Sequence, residues 1–167
     1  LLKNTDPVVK VTIIPRGKSL GASWYLPEEK QLRSESAFQE HLIATLGGRA
    51  AEELMLGEVS SGALDDLEKV TREAYMMVAF YGFNKKIGNI SFYDSTGQRD
   101  MSIQKPYSEE TGKLIDEEVR KLTADAYTQA LDLLDKNRPA LEQLAEALLE
   151  KETIYKDDLQ KLLGTIE

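Results

Sequence analysis

The run GGRAAEELMLGEVSSGALDDLEKVT, Gly47 to Thr71, joins two helical patterns through a Ser-Ser-Gly turn and places six carboxylates between Glu52 and Glu68. Upstream of it, Phe38, Leu42, Ile43, Ala44, Leu46, Ala50, Ala51 and Leu54, with Gly47 and Gly48, leave almost no polar face. Such a helix is expected to be central and packed on more than one side. Ser36 and Gln39 have the spacing of a capping box, which opens this helix. It runs to about Leu54, and Gly57 ends it. A second helix is predicted over about Leu64 to Tyr81, closed by Gly82.

At 100° per residue the second helix turns Leu67, Val70, Ala74, Met77 and Tyr81 inward and leaves Glu68, Lys69, Arg72 and Glu73 wet. Asp65 falls on the wet side. Asp66 precedes Val70 by four and Ala74 by eight, so it is expected to point inward. A carboxylate aimed at a core needs donors or a cation. Two readings satisfy that need: Asp66 accepts free N–H groups of the first helical turn, or it ligates a metal. On the first helix Glu53 lies on the Leu42/Leu46/Ala50 stripe four residues after Arg49, which predicts a buried Arg49–Glu53 pair. Glu52 faces His41 and Thr45 instead. His41 is the sole histidine, so no H-E-x-x-H is present and the usual ligands of a complete zinc site cannot be assembled.

The rest of the chain reads as one domain of 167 residues with enough apolar content, 41%, for a core. VVKVTII (8–14) and LGASWYLP (20–27) predict a hairpin or small sheet within 1–35. The two central helices occupy 36–82, a turn-rich loop with a short strand at ISFY (90–93) occupies 83–107, and 108–167 reads as a helical bundle. In that bundle Ser108 caps a long helix striped by Ile115, Val119, Leu122, Ala126, Ala130 and Leu133. Pro139 opens the next, with Leu141, Leu144 and Leu148 inward, and a last helix after Thr153 presents Leu159, Leu162 and Leu163. The fold class is therefore mainly α, an α+β arrangement. LLKN at the start reads as the last turn of a helix stopped at Asp6-Pro7. A net charge of −8 argues against nucleic acid as a partner, and the absence of cysteine excludes disulfides and thiolate chemistry. No apolar run approaches the ~18 residues of a membrane span, so the stretch reads as soluble.

TDPVVKVTIIPRGKSLGASWYLPEE, LGGRAAEELMLGEVSSGALDDLEKVTREAYMMVAFYGF and YSEETGKLIDEEVRKL closely resemble the peptidase domain of the FtsH family of membrane-anchored, ATP-dependent zinc proteases. The likeness extends to LLEKETI near the C-terminus, and ASWYLPEE with FYDSTGQ is most similar to the Bacteroidetes version. The resemblance implies zinc held by two histidines of an H-E-x-x-H helix and by an aspartate opening the helix after the Ser/Thr-Gly-Ala turn. That aspartate matches Asp66. Asp65 stands where the family commonly has Asn. Glu52 matches an acid at the edge of the zinc site that would orient a ligand histidine. The resemblance further implies a substrate chain lying along the edge strand Leu20-Gly21-Ala22-Ser23-Trp24.

By the same resemblance the H-E-x-x-H helix, with its general-base Glu, precedes Leu1, and the 167 residues alone are expected to be proteolytically inactive. The intact protein is expected to be a homo-hexamer at the cytoplasmic face of the bacterial inner membrane, anchored by upstream segments. Its separate AAA+ domain would bind ATP and Mg and feed unfolded polypeptide to the peptidase ring. The competing reading is a non-catalytic pseudo-protease, a helical interaction domain. A stand-alone helical bundle with acidic faces ranks last, because it leaves Asp66 and the glycine-rich helix unexplained.

Overall fold

VVKVT is β-branched at four of five positions, and such residues fit a pleated, half-buried surface. In the computed structural model, which describes residues 1–15, 17, 21–26, 32–93 and 106–164, this run is β1, Val8–Thr12. It pairs antiparallel with β2, Ala22–Tyr25, in the register Thr12↔Ala22, Val11↔Ser23 and Lys10↔Trp24, with an irregularity between Val8 and Lys10. The hairpin is as expected. Gly21 enters β2 so close to β1 that a Cβ there would lie 2.8 Å from the Thr12 carbonyl oxygen, which excludes any side chain without a backbone shift. Leu20 lies outside the described residues.

A third strand, β3 (Thr153–Tyr155), covers the other side of β1 and gives the order β2-β1-β3. Three residues are too few to show a period of two, so this segment reads from sequence only as the approach to a helix. Thr12 secures it: its hydroxyl donates to the Glu152 carbonyl at 2.9 Å and lies 2.7 Å from the Thr153 hydroxyl. α4 (Arg138–Lys151) starts with Pro in its first turn and ends where Glu152 adopts φ 58°, its N–H donating to the Leu148 carbonyl at 2.8 Å. α5 is Lys156–Leu163. Leu148, Ile154 and Leu159 form the core here, with Val8, Val11 and Leu144 against them. Residues 1–7 are not helical, contrary to the reading of LLKN; four residues cannot close successive i to i−4 bonds.

The chain divides into two compact units. One is Leu1–Leu32 with Asp132–Glu167, the sheet with α4 and α5; the other is Arg33–Leu131. In the second, α1 spans Glu35–Leu56 and is capped by Ser34, whose Oγ accepts the Ala37 N–H at 3.3 Å. The expected cap at Ser36 is displaced because the Gln39 amide reaches the Glu35 carboxylate at 3.2 Å rather than closing a box on Ser36. Gly57, φ 75°, ends the helix with its N–H on the Glu53 carbonyl. After a 3-10 turn at Ser61–Ala63 comes α2, Leu64–Ala79. α3 is Glu109–Lys136, with the Ser108 hydroxyl accepting the Thr111 N–H at 3.2 Å.

Leu42, Leu46 and Ala50 of α1 are buried, as are Val70, Ala74 and Met77 of α2. The all-round burial expected of α1 does not occur, since Ala44 and Gly48 are exposed. A second cluster gathers Val78, Ala79, Ile87 and Ile115 under Tyr75, Phe80, Phe92 and Tyr107. Residues 90–93 form no strand; the Phe92 N–H instead donates to the Ala79 carbonyl at 2.9 Å, and its ring packs 5.1 Å from that of Tyr107. Asp94 to Lys105 lie outside the described residues. The stretch 108–167, read as one bundle, is shared between the two units, because β3 ties its last helices to the sheet.

Glu118 of α3 is buried, yet its carboxylate accepts from Asn84 Nδ2 at 2.8 Å and Lys86 Nζ at 2.5 Å. These donors, Asn84 first, hold its carboxyl below the ordinary range. A depressed folded-state pKa confers stability that is complete above the unfolded value, about 4.3 for Glu, and is lost as pH falls through the folded value. Glu118→Gln is therefore expected to flatten the acid limb of the stability profile below about pH 4, measured by urea midpoints at stepped pH. An unchanged limb would assign acid sensitivity to other carboxylates.

Candidate functional site

The carboxylates of the 52–68 run separate by the work they do. Ser60 caps the 3-10 turn, its hydroxyl accepting the Gly62 N–H at 3.2 Å. Its backbone is held from α1 on both polar groups. The Ser60 N–H donates to Glu52 Oε2 at 3.0 Å, and Arg49 Nη1 donates to the Ser60 carbonyl at 3.4 Å. The Ser60 side chain and N–H, followed by the nearby Arg49 charge, keep the Glu52 carboxyl below the usual carboxylate range. Glu52 thus fixes the turn that delivers the chain into α2.

Asp66 sits in the first turn of α2, on the extension of the Val70/Ala74/Met77 stripe. Its side chain is 45% exposed, and Oδ1 lies 3.4 Å from Lys69 Nζ. The expectation that it points into the core is corrected: the stripe runs past its cover. Leu56 at the end of α1 is 71% exposed and Leu64 equally so. Leu67 and Tyr81, also expected inward, are exposed for their part. Asp65 is exposed, as expected.

Two further expectations change. Glu53 is exposed and accepts from the Tyr127 hydroxyl, while Arg49 is occupied by Ser60, so the buried Arg49–Glu53 pair does not form. Glu73, placed on the wet face at 100° per residue, is 8% exposed and lies 2.6 Å from His41 Nδ1. Three residues after Val70 it is within about 60° of the inward stripe, a signal the periodicity contained. A half-exposed imidazole across α1–α2 satisfies it.

In the other unit β2 is an edge strand, with β1 as its neighbour among the described residues. Ala22, Ser23 and Tyr25 are exposed, and Trp24 is partly covered by Lys10, whose Nζ stands 4.2 Å from the ring centroid. Among the described residues no three His, Cys, Asp or Glu side chains gather so as to hold a metal, and no helix is long and apolar enough to cross a membrane.

Residues 1–162 match Peptidase family M41. The chain belongs to peptidase family M41. It is 52% identical over 98% of its length to an ATP-dependent zinc metalloprotease FtsH of Parabacteroides distasonis, of which it covers 24%. It is 47% identical, over the same share, to the mouse mitochondrial inner membrane m-AAA protease component AFG3L2, of which it covers 20%, and 45% identical to an FtsH of Karelsulcia muelleri, of which it covers 26%. The chain thus spans a fifth to a quarter of the length of these curated relatives. For an M41 chain the donor set is informative. One half-exposed carboxylate, Asp66, fits the part of a single oxygen ligand, and the described residues do not hold zinc by themselves.

Proposed function

We propose that this M41 stretch is the peptidase part of an ATP-dependent zinc metalloendopeptidase, and that Asp66 is its contribution to the metal. The observation that carries the reading is the placement of Asp66: a carboxylate opening α2 behind a turn secured from α1, outside the core and with oxygens open to a further donor or cation. Zinc would be completed by imidazoles that these residues do not contain, His41 being already engaged by Glu73. Glu52 spends Oε2 on Ser60, and its other oxygen suits the N–H of a ligand histidine.

Among the described residues β2 stands at the edge of the sheet, a position suited to an extended polypeptide read without regard to side-chain sequence. Gly21, Ala22, Ser23 and Trp24 would line that path, together with Leu20. The whole protein would work as a membrane-anchored homo-hexamer at the cytoplasmic face of the bacterial inner membrane. There a separate AAA+ part binds ATP and Mg and delivers unfolded protein; the acidic surface, −8 overall, favours no nucleic acid.

The test compares the 167-residue chain with the full-length protein in a casein-cleavage assay with zinc added. Cleavage by the full-length protein alone is the expected result. Zinc-dependent turnover by the 167 residues would refute the incomplete site, and no turnover by either would favour the pseudo-protease reading.

A further inference from the structure

Within the unit Arg33–Leu131, the start of α1, the end of α2 and the middle of α3 surround a cavity of about 130 Å³ that opens to the surface. Its floor is apolar, made by Met77 and Val78, both buried, and by Leu122. One wall is the ring of Phe83, packed against Phe38 at 5.8 Å and Tyr81 at 5.7 Å between centroids. The turn that carries Phe83 is fixed to α3. Asn84 Oδ1 accepts the Lys86 and Ile87 N–H groups at 2.9 and 3.1 Å, while Asn84 Nδ2 donates to Glu118 Oε2 at 2.8 Å. Wall and floor are therefore built by the fold itself.

The rim carries the charge. Glu35 of α1 and Glu118 and Asp125 of α3 line the cavity, against one cation, Lys121. Glu118 is already paired with Lys86, but Glu35 and Asp125 are exposed, and among the described residues neither joins an ion pair. An aromatic wall and carboxylates around one small mouth together select a planar cation. A guanidinium stacks on a ring face, is weakly hydrated and donates to carboxylate oxygens in a fixed fork, where an ammonium is a compact, strongly hydrated charge. A cavity of about 150 Å³ takes benzene, so this one has room for a guanidinium and the methylenes that lead to it. We propose that the cavity is a binding site for a guanidinium group, carried by an arginine side chain of a polypeptide or by a free guanidino compound. Phe83 is its stacking surface, and Glu35 and Asp125 are its carboxylate partners. The site is independent of the reading of Asp66, because Met77 lies eleven residues further along α2, about 16 Å at 1.5 Å per residue.

The experiment titrates the whole 167-residue chain, isotope-labelled, with ethylguanidinium, with acetyl-Gly-Arg-Gly-amide, and with the same peptide carrying citrulline or lysine in place of arginine, and follows amide shifts by NMR. The expected result is movement of the Gln39, Phe83, Asn84 and Leu122 amides, with Ser60 and Asp66 unmoved. The citrulline peptide, which keeps the shape and loses the charge, is expected to bind at least about 10-fold more weakly. Tighter binding of the arginine peptide than of ethylguanidinium assigns the site to a polypeptide side chain; equal binding assigns it to a free guanidino compound. Glu35→Gln and Asp125→Asn, both at exposed positions, are each expected to weaken the arginine peptide about 3- to 5-fold. Phe83→Leu is expected to weaken it about 3-fold. Lys121→Ala removes the cation of the rim and is expected to strengthen binding about 2- to 3-fold, an opposite sign that a purely structural role for these residues does not produce. Equal affinity for the citrulline or the lysine peptide would overturn the proposal, as would unchanged affinity in Glu35→Gln, Asp125→Asn and Lys121→Ala alike.

Discussion

Asp66→Ala in the full-length protein is expected to reduce casein cleavage by a factor of at least about 100, more than loss of an outer-shell partner costs, while ATP hydrolysis stays within about twofold. The side chain packs against no core, being 45% exposed, so its removal forfeits little burial. Its interaction with Lys69 is a surface pair of the kind worth at most about 1 kcal/mol. Unfolding is thus too small an effect to explain a hundredfold loss. Two neighbours serve as controls. Lys69→Ala removes the partner of Asp66, and Asp65→Ala removes the adjacent exposed carboxylate; both are expected to cleave casein within a few-fold of the parent. Cleavage retained by Asp66→Ala would take the residue out of the metal site altogether.

Leu42→Ala is expected to cost about 3 kcal/mol, within the 2–5 kcal/mol range for large-to-small changes in a core. Leu42 has no exposed surface and sits where α1 meets α2, between turns anchored by Phe38 and Leu46. With a urea dependence of about 2 kcal/mol per M the midpoint should fall by about 1.5 M. Leu56→Ala makes the same chemical change at the far end of α1, where the residue is mostly exposed, and should cost under about 0.5 kcal/mol. Leu42→Met keeps the volume and should cost less than about 1.5 kcal/mol. Equal effects at Leu42 and Leu56 would mean that α1 does not pack as described.

Much of the fold is legible residue by residue. Gly57 adopts the left-handed conformation expected of a helix stop, Ser108 caps α3, and Pro139 opens α4, each because its local chemistry admits few alternatives. The buried stripe of α2 at Val70, Ala74 and Met77 follows from the 3.6-residue period. The failures share one cause: periodicity names a face without saying how far its cover extends. Asp66 lies on the right meridian and is nonetheless half-exposed beside Lys69; Glu73 lies near the same meridian and is buried against His41. β3 escapes notice because its partner, β1, is some 140 residues away in the chain.

By itself the sequence determined the main helices, the stops and caps at Gly57, Ser108 and Pro139, and the hairpin, since these depend on dihedral preferences and on neighbours within a few positions; its motifs carried the likeness to a peptidase family. Only the tertiary structure decided which carboxylate does what. It gave Glu52 to the turn, Glu53 to Tyr127 and Glu73 to His41, and left Asp66 half-exposed beside Lys69 at the mouth of α2. The physical reason is that a charged side chain is stabilised by the donors within about 3 Å of it, and those are chosen by the packing of distant segments.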